Sequence, residues 1–340
     1  MKKRLAALFL SMAMALTSLV AVAPEVKADD ETYTFIFSHE NAETSFVHQM
    51  VTLFKEKMEE ATDGHVIIDI YPNAQLGSKL DNWQGMSDNT IQMLLSPGSH
   101  MDDRFNVVTI PNLFATAEEC NAAYSEGSEL LEAIRSISEE LGFKTLCMVP
   151  IGFRTMSSNK KVEKFEDIAG QNIRVMEMDN YIALWKAYGA NPTPIAFSEL
   201  YLALQQGLVD AQENPLDVIL TNKLYEQQKY IIDTNHEPFY WGITCSGESW
   251  NALPEEYQNI MMDVVAEVRQ AAFEGGMAAE ASALETMMEA GVELCQLSDD
   301  DRAAMQKACE EGGVYDLYRQ YCGDELFDLA LSVAESLQAQ

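Results

Sequence analysis

Residues 150–215 hold the residues best suited to chemistry, Arg154 and Arg174, two of only seven arginines beyond residue 28. Arg174 lies inside a strand-like run, Asn172 to Met176, between Ile173 and Val175. Those apolar neighbours take one face of a strand, so the guanidinium takes the other. Both faces of an α/β sheet are commonly covered, and a buried guanidinium then needs an anion or carbonyl oxygens as partners. Spacing leaves two readings open, an internal salt bridge or an incoming carboxylate. With so many acids in the chain, it favours the salt bridge.

Other chemistry is missing from the sequence. GxSxG, HExxH, GxGxxG and Walker A patterns do not occur. His39-Glu40 is followed by Asn41-Ala42-Glu43, so the second histidine of a zinc site is absent. The five histidines are scattered and read as surface or hydrogen-bonding residues. Asp299 to Asp301 lacks the alternation and glycine of a calcium loop and reads as a helix cap. The 18 methionines follow helical faces and fill a core. A secreted enzyme is disfavoured, and no cofactor or metal is expected.

The elements that must position the arginines alternate. Strands are predicted over Thr34–Ser38, His65–Tyr71, Ile91–Ser96, Phe143–Pro150, Asn172–Met176, Thr193–Ile195 and Phe239–Ser246. Helices are predicted over Glu43–Ala61, Leu80–Ser87, Asn180–Tyr188, Ser198–Gln206 and Asn214–Tyr225. A further helix opens at the capping box Thr116–Glu119 and runs to about Leu141. Another starts at Pro254 and weakens at Gly275-Gly276, and Ser298-Asp299-Asp300-Asp301 opens a helical C-terminal part. The alternation implies an α/β fold with a largely parallel sheet. No linker or repeat marks a boundary, which suits two lobes sharing chain crossings around a ligand cleft.

The chain has 340 residues, 54 acids against 22 bases, and a formal net charge of −32. Such a field repels phosphate backbones and anionic membrane surfaces, so nucleic-acid binding is excluded. Lys2, Lys3 and Arg4 precede an uncharged apolar run, Leu5 to Ala23, which reads as a signal peptide cut after Ala28. Cleavage removes four bases and one acid, moving the net charge to −35. The protein is therefore expected to be periplasmic or otherwise extracytoplasmic. Six widely spaced cysteines form no CxxC pattern and are expected to be mostly free.

Several longer motifs carry a resemblance. They are Gly152-Phe153-Arg154, Gly170-Gln171-Asn172-Ile173-Arg174-Val175, Gly189 to Pro194, Phe197-Ser198-Glu199-Leu200-Tyr201, and Gln212-Glu213-Asn214-Pro215. Tyr225 to Tyr230, Thr234-Asn235-His236 and Gln75-Leu76-Gly77 extend them. Together they resemble the DctP-type solute-binding subunit of tripartite ATP-independent periplasmic (TRAP) transporters. The resemblance implies a two-lobed, type II-like periplasmic-binding-protein fold, with the cleft between lobes and a long helix spanning both. It implies a signal peptide over 1–28, one lobe from 29–151 plus 239–279, and the other from 152–238 plus 280–340. It places Arg174 at a carboxylate clamp, Arg154 beside a further polar group of the ligand, Asn214 at a ligand contact and Phe197 packed on the ligand. By location in the lobes, His39, Glu40, Ser96 and Trp241 are expected near the cleft. HENAET departs from the family's usual turn after the first strand, and Ala211 stands where glycine is commoner. The implied partners are a small carboxylate and the small and large membrane subunits, with the protein itself a monomer. A ligand-sensing partner of a membrane receptor would use the same cleft.

Overall fold

The computed structural model describes residues 31–95, 98 and 101–339. The signal-peptide reading and Ser96 lie outside the described residues. The first unit is β1 (Tyr33–Ser38), α1 (Phe46–Ala61), β2 (Val66–Tyr71), α2 (Lys79–Ser87) and β3 (Met93–Leu95). Helix α1 shows why this segment folds as it does. Ser45 caps it by accepting from the His48 N–H, and Val47, Val51, Phe54 and Met58 repeat at helical spacing on the buried face.

Two short helices, α3 (Ala117–Ala123) and α4 (Glu129–Glu140), replace the single helix expected from Thr116 to about Leu141. The break falls at Gly127, whose φ is +78°. There follow β4 (Phe143–Ser158), β5 (Asn172–Val175), α5 (Asp179–Ala187), β6 (Asn191–Pro194), α6 (Leu200–Gln205), β7 (Ala211–Asn214) and α7 (Leu216–Thr221). The helix expected from Asn214 therefore starts two residues later, and Asn214 ends a strand. The remaining elements are β8 (Tyr230–Ser246), α8 (Gly247–Ala252), α9 (Glu255–Glu289), β9 (Glu293–Cys295), α10 (Asp299–Glu311), α11 (Val314–Cys322) and α12 (Asp324–Gln338). Ser298 and Asp301 form the capping box that opens α10. All six cysteines are buried free thiols.

The strands form one sheet in the order β2-β1-β3-β8-β4-β7-β5-β6, with β9 beside β8. Its outer pairings are parallel, but β3–β8, β8–β4 and β4–β7 are antiparallel. The sheet is mixed because β4 and β8, at 16 and 17 residues, run alongside each other through its centre. The far end of β8 pairs with β3, while the far end of β4 pairs with β7. The two strands thus belong to both halves of the molecule. One core packs Phe35, Phe37, Phe54, Val149, Trp241 and Val268, and a second packs Ile173, Val175, Tyr181, Trp185, Met305 and Phe327.

Helix α9 runs unbroken for 35 residues through Gly275-Gly276. Glycine serves close approach there rather than interruption. A Cβ at Gly276 would stand 2.7 Å from the Cα and carbonyl oxygen of Ile151 in β4, and one at Gly275 would stand 2.8 Å from the Phe46 ring. One turn on, Glu280 accepts from the N–H groups of Leu216 and Asp217 at 2.8 and 2.9 Å, which caps α7. Asp217 in turn accepts from the Phe46 N–H at the start of α1, at 3.2 Å. Gly276→Ala is expected to destabilise the fold by about 1–3 kcal/mol, because backbone must move to admit the methyl group. Thermal or urea unfolding of the variant checks this.

Candidate ligand-binding site

Arg174 projects from β5 and is 2% exposed. Its Nε donates to the Ile195 carbonyl at 2.8 Å, and its guanidinium lies 5.9 Å from the centre of the Phe197 ring. The loop after β6 therefore supplies both a carbonyl and an aromatic face to hold the group. Its Nη1 is buried and has no hydrogen-bond partner among the described residues. None of the ion pairs among the described residues includes Arg174. Burial is the main reason its pKa is drawn down to about 10; Glu213 opposes this and Arg154 adds to it. A desolvated cation with an open donor is what a carboxylate guest requires.

The internal salt bridge that spacing favours for Arg174 falls instead on Arg154. From β4, Arg154 grips Glu213 of β7 by Nε at 2.6 Å and Nη2 at 2.9 Å. Nη2 also reaches the Glu213 carbonyl at 2.9 Å and Asn214 Oδ1 at 3.3 Å. Arg154 lies 5.6 Å from the Tyr181 ring centre. Burial alone would raise the Glu213 pKa, but the Arg154 charge and the bonds from His236 and Arg154 outweigh it and hold the carboxyl at about 2. Irregular pairing between Arg154 and Met156 lets β8 bulge over residues 233–236. Asn235 takes a φ of +42° within that bulge. His236 is fully buried there, with Nε2 3.2 Å from Glu213 and Nδ1 2.9 Å from the Thr234 hydroxyl. Burial lowers the His236 pKa despite Glu213, and Nε2 faces the Glu213 carboxylate, to which it donates.

Glu237 stands directly opposite Arg154 on β8. It accepts from the Tyr181 hydroxyl at 2.6 Å through Oε1, and its Oε2 is buried without a partner among the described residues. Burial pushes its pKa up to about 8, and Glu213 adds to this against Arg154, Tyr181 and Lys79.

Asn214 is buried, donates to Gln212 Oε1 at 2.6 Å, and accepts from Arg154. Phe197 is half-buried over Arg174. His39 is buried. It accepts from the Asn41 N–H at 3.2 Å through Nδ1, so Nε2 carries the proton that bonds His48 at 3.1 Å. Burial, with His48, lowers the His39 pKa to about 4. Glu40 accepts from the Lys79 N–H at 3.2 Å and lies 3.7 Å from its ammonium. Trp241 packs instead in the first core, where it is 0% exposed and its Nε1 has no partner among the described residues.

The sequence reading missed Glu213, His236, Glu237 and Tyr181 as members of this network. Glu213 and His236 had a signal, since both stand in the motifs Gln212–Pro215 and Thr234–His236. Glu237 had none, because its placement depends on the bulge.

The family model for bacterial extracellular solute-binding protein, family 7, DctP, matches residues 37–318. The chain belongs to that family. It is 29% identical over 297 residues to the C4-dicarboxylate-binding periplasmic protein DctP of Rhodobacter capsulatus, covering 85% of this chain and 87% of that one. A TRAP periplasmic solute-binding protein of Desulfovibrio salexigens, solved with bound orotic acid, superposes with a TM-score of 0.84 at 29% identity, over 90% of this chain and 100% of that one. A Haemophilus influenzae RdAW counterpart with bound L-gulonate gives 0.81 at 29% identity, over 91% and 99%. The two-lobed fold with a cleft is thus the architecture of this chain. Within it, β4 and β8 are the strands that cross between halves.

Two outcomes follow for stability. Glu213→Gln leaves Arg154 buried without its counter-charge and should cost about 3–5 kcal/mol, read as a fall in urea midpoint. Glu237 holds a proton in the folded state between pH 4.5 and about 8 that the unfolded chain releases, so its contribution to stability declines as pH rises through that window. Glu237→Gln should therefore raise the melting temperature relative to the parent more at pH 8.5 than at pH 5.

Proposed function

We propose that this solute-binding protein captures a small organic acid outside the cytoplasm, with Arg174 gripping the carboxylate, and hands it to the small and large membrane subunits of a TRAP transporter. The observation that carries the reading is the Arg174 guanidinium. It is buried, held by a carbonyl and a ring, in no ion pair among the described residues, and open at Nη1. The ligands named for the relatives, a C4-dicarboxylate, orotic acid and L-gulonate, all carry a carboxylate. Asn214 and Phe197 flank the clamp, and Arg154 holds its frame through Glu213.

The ligand closes the lobes by binding the closed state better than the open one, and it leaves unchanged, without turnover. The chain is exported through residues 1–28, works as a monomer and needs no cofactor. Its lobes are 29–151 plus 239–279 and 152–238 plus 280–340. The first core, from Phe35 to Ala272, supports that division. Residues 105–137, however, pack with the second core. No helix among the described residues is long and apolar enough to cross a membrane, which fits delivery to separate membrane subunits.

The test separates a ligand clamp from a structural cation. Truncating one partner of a desolvated charge pair costs about 2–5 kcal/mol of binding, so Arg174→Ala should weaken calorimetric affinity at least ~30-fold. The acid is the one identified by mass spectrometry of co-purified material or by thermal shift over organic acids. The melting temperature of ligand-free Arg174→Met should hold or rise, because a buried charge without a counter-ion is removed. Unchanged affinity, or a large loss of stability without ligand, refutes the clamp.

A further inference from the structure

Uncharged polar side chains share the sheet face of Arg174. Gln212 of β7 pairs with Arg174 of β5, and Ser157 of β4 stands opposite Gln212, so strand register brings all three to one face. Asn214, two residues beyond Gln212, returns to that face. Ser157, Gln212, Asn214 and Gln228 are all buried, so each needs partners inside the protein. They find them as a chain. Asn214 Nδ2 donates to Gln212 Oε1 at 2.6 Å, Gln212 Nε2 to Ser157 Oγ at 2.7 Å, and Ser157 Oγ to Gln228 Oε1 at 3.0 Å.

Both ends of this chain fix its direction. At one end, Gln228 Nε2 donates to the carbonyls of Gln227 and Asp210 at 2.9 and 3.3 Å. A carbonyl only accepts, so Gln228 turns Oε1 towards Ser157. The single hydroxyl hydrogen of Ser157 is then committed to Gln228, and Gln212 must offer Ser157 an N–H. At the other end, Arg154 Nη2 reaches Asn214 Oδ1 at 3.3 Å, and a guanidinium only donates. Asn214 is thus held from both directions with Nδ2 towards Gln212. That bond uses one of the two Nδ2 hydrogens. An amide flipped end for end would keep the same shape but offer an incoming carboxylate an oxygen instead of a donor.

We propose that Gln212, Ser157 and Gln228 are positioning residues for acid capture, holding the Asn214 amide so that its second Nδ2 hydrogen is offered to the carboxylate that Arg174 grips. This rests on the carboxylate reading of Arg174. The relay suits that role because it is neutral. An acid at position 212 would hand Arg174 an internal counter-ion and close the clamp, whereas an amide there supports Asn214 without a charge that competes for the guanidinium. Because every member is buried and satisfied by the next, a break anywhere along the chain loosens its inner end.

Calorimetry on the purified protein, with succinate, orotate and L-gulonate as probes, tests the relay. Ser157→Ala should weaken whichever acid binds by at least ~3-fold, and Ser157→Thr, which keeps the hydroxyl, should stay within ~2-fold of the parent. In an Asn214→Ala background the same Ser157→Ala change should cost no further affinity, because its effect passes through Asn214. A serine that only holds the sheet together would weaken both backgrounds by the same factor, and that result overturns the relay. A second readout needs no acid. The two Asn214 side-chain amide protons, identified by their loss in Asn214→Ala, should interchange at least ~3-fold faster in Ser157→Ala than in the parent by nitrogen-15 NMR, and an unchanged rate overturns the relay. Should Ser157→Ala fail to fold, Gln228→Met cuts the chain one link further out and takes the same two tests. Affinity that survives Arg174→Ala, or no binding by any of the three acids, counts against the carboxylate reading instead, and the relay then stands or falls on the amide rate.

Discussion

Arg154 and Glu213 form a two-bond ion pair with almost no solvent contact, and the rest of the site is arranged around it. Glu213 is 0% exposed and shared with His236, so three strands are tied together at one carboxylate. Such a pair adds little net stability compared with an apolar contact of the same shape, but breaking it is expensive. Its value here is positional. By absorbing Arg154, Glu213 leaves the neighbouring guanidinium on β5 as the group with an unmet demand. Arg174 can remain so because Ile195 and Phe197 fix it from one side without cancelling its charge.

Much of the architecture is legible in the sequence, where hydrophobic period and capping residues act locally. The N-caps at Thr116 and Ser298, α1 and strands β1, β2 and β5 follow from such signals. The failures share a cause, which is tertiary pairing overriding local preference. The first half of β8, Tyr230 to Pro238, contains Asp233, Asn235 and Pro238 and carries no strand pattern. It is extended because β4 lies beside it. Gly275-Gly276 looks like a helix breaker, yet the missing side chains are what let Phe46 and Ile151 approach. The break between α3 and α4 is hidden because apolar spacing continues across it.

The site is legible to a different degree. Spacing puts Arg174 on the face away from Ile173 and Val175, and the structure agrees, with both neighbours buried in the second core. Spacing cannot say which arginine finds an internal acid, since that depends on which strand lies next to which. The resemblance to the solute-binding family names Arg154, Arg174, Asn214 and Phe197 together; in the structure Arg154 bonds Asn214, and Arg174 lies over Phe197. Glu237 escapes both routes, because a bulge in β8 sets its neighbours. The acidity of the whole chain is not in conflict with anion capture. Exposed charges are screened over about 8–10 Å in physiological salt, whereas a buried guanidinium acts over contact distances in a poorly screened crevice.

The unbroken α9 also governs how such a molecule can move. At 1.5 Å per residue its 35 residues make a rod about 52 Å long. Near its midpoint it bears against Ile151 and Gly152 of β4 and holds the start of α7 through Glu280. A rod clamped at its centre bends poorly, so compliance concentrates in the connections that run beside it. In β4 and β8 these are the stretches where regular pairing already lapses, between Pro150 and Gly152 and between Arg154 and Met156. The second lapse carries Arg154, so flexing there tilts the ion pair and the bulge of His236 as one piece. The lapse in pairing and the Arg154–Glu213 pair therefore share the same few residues, and neither can be altered without disturbing the other.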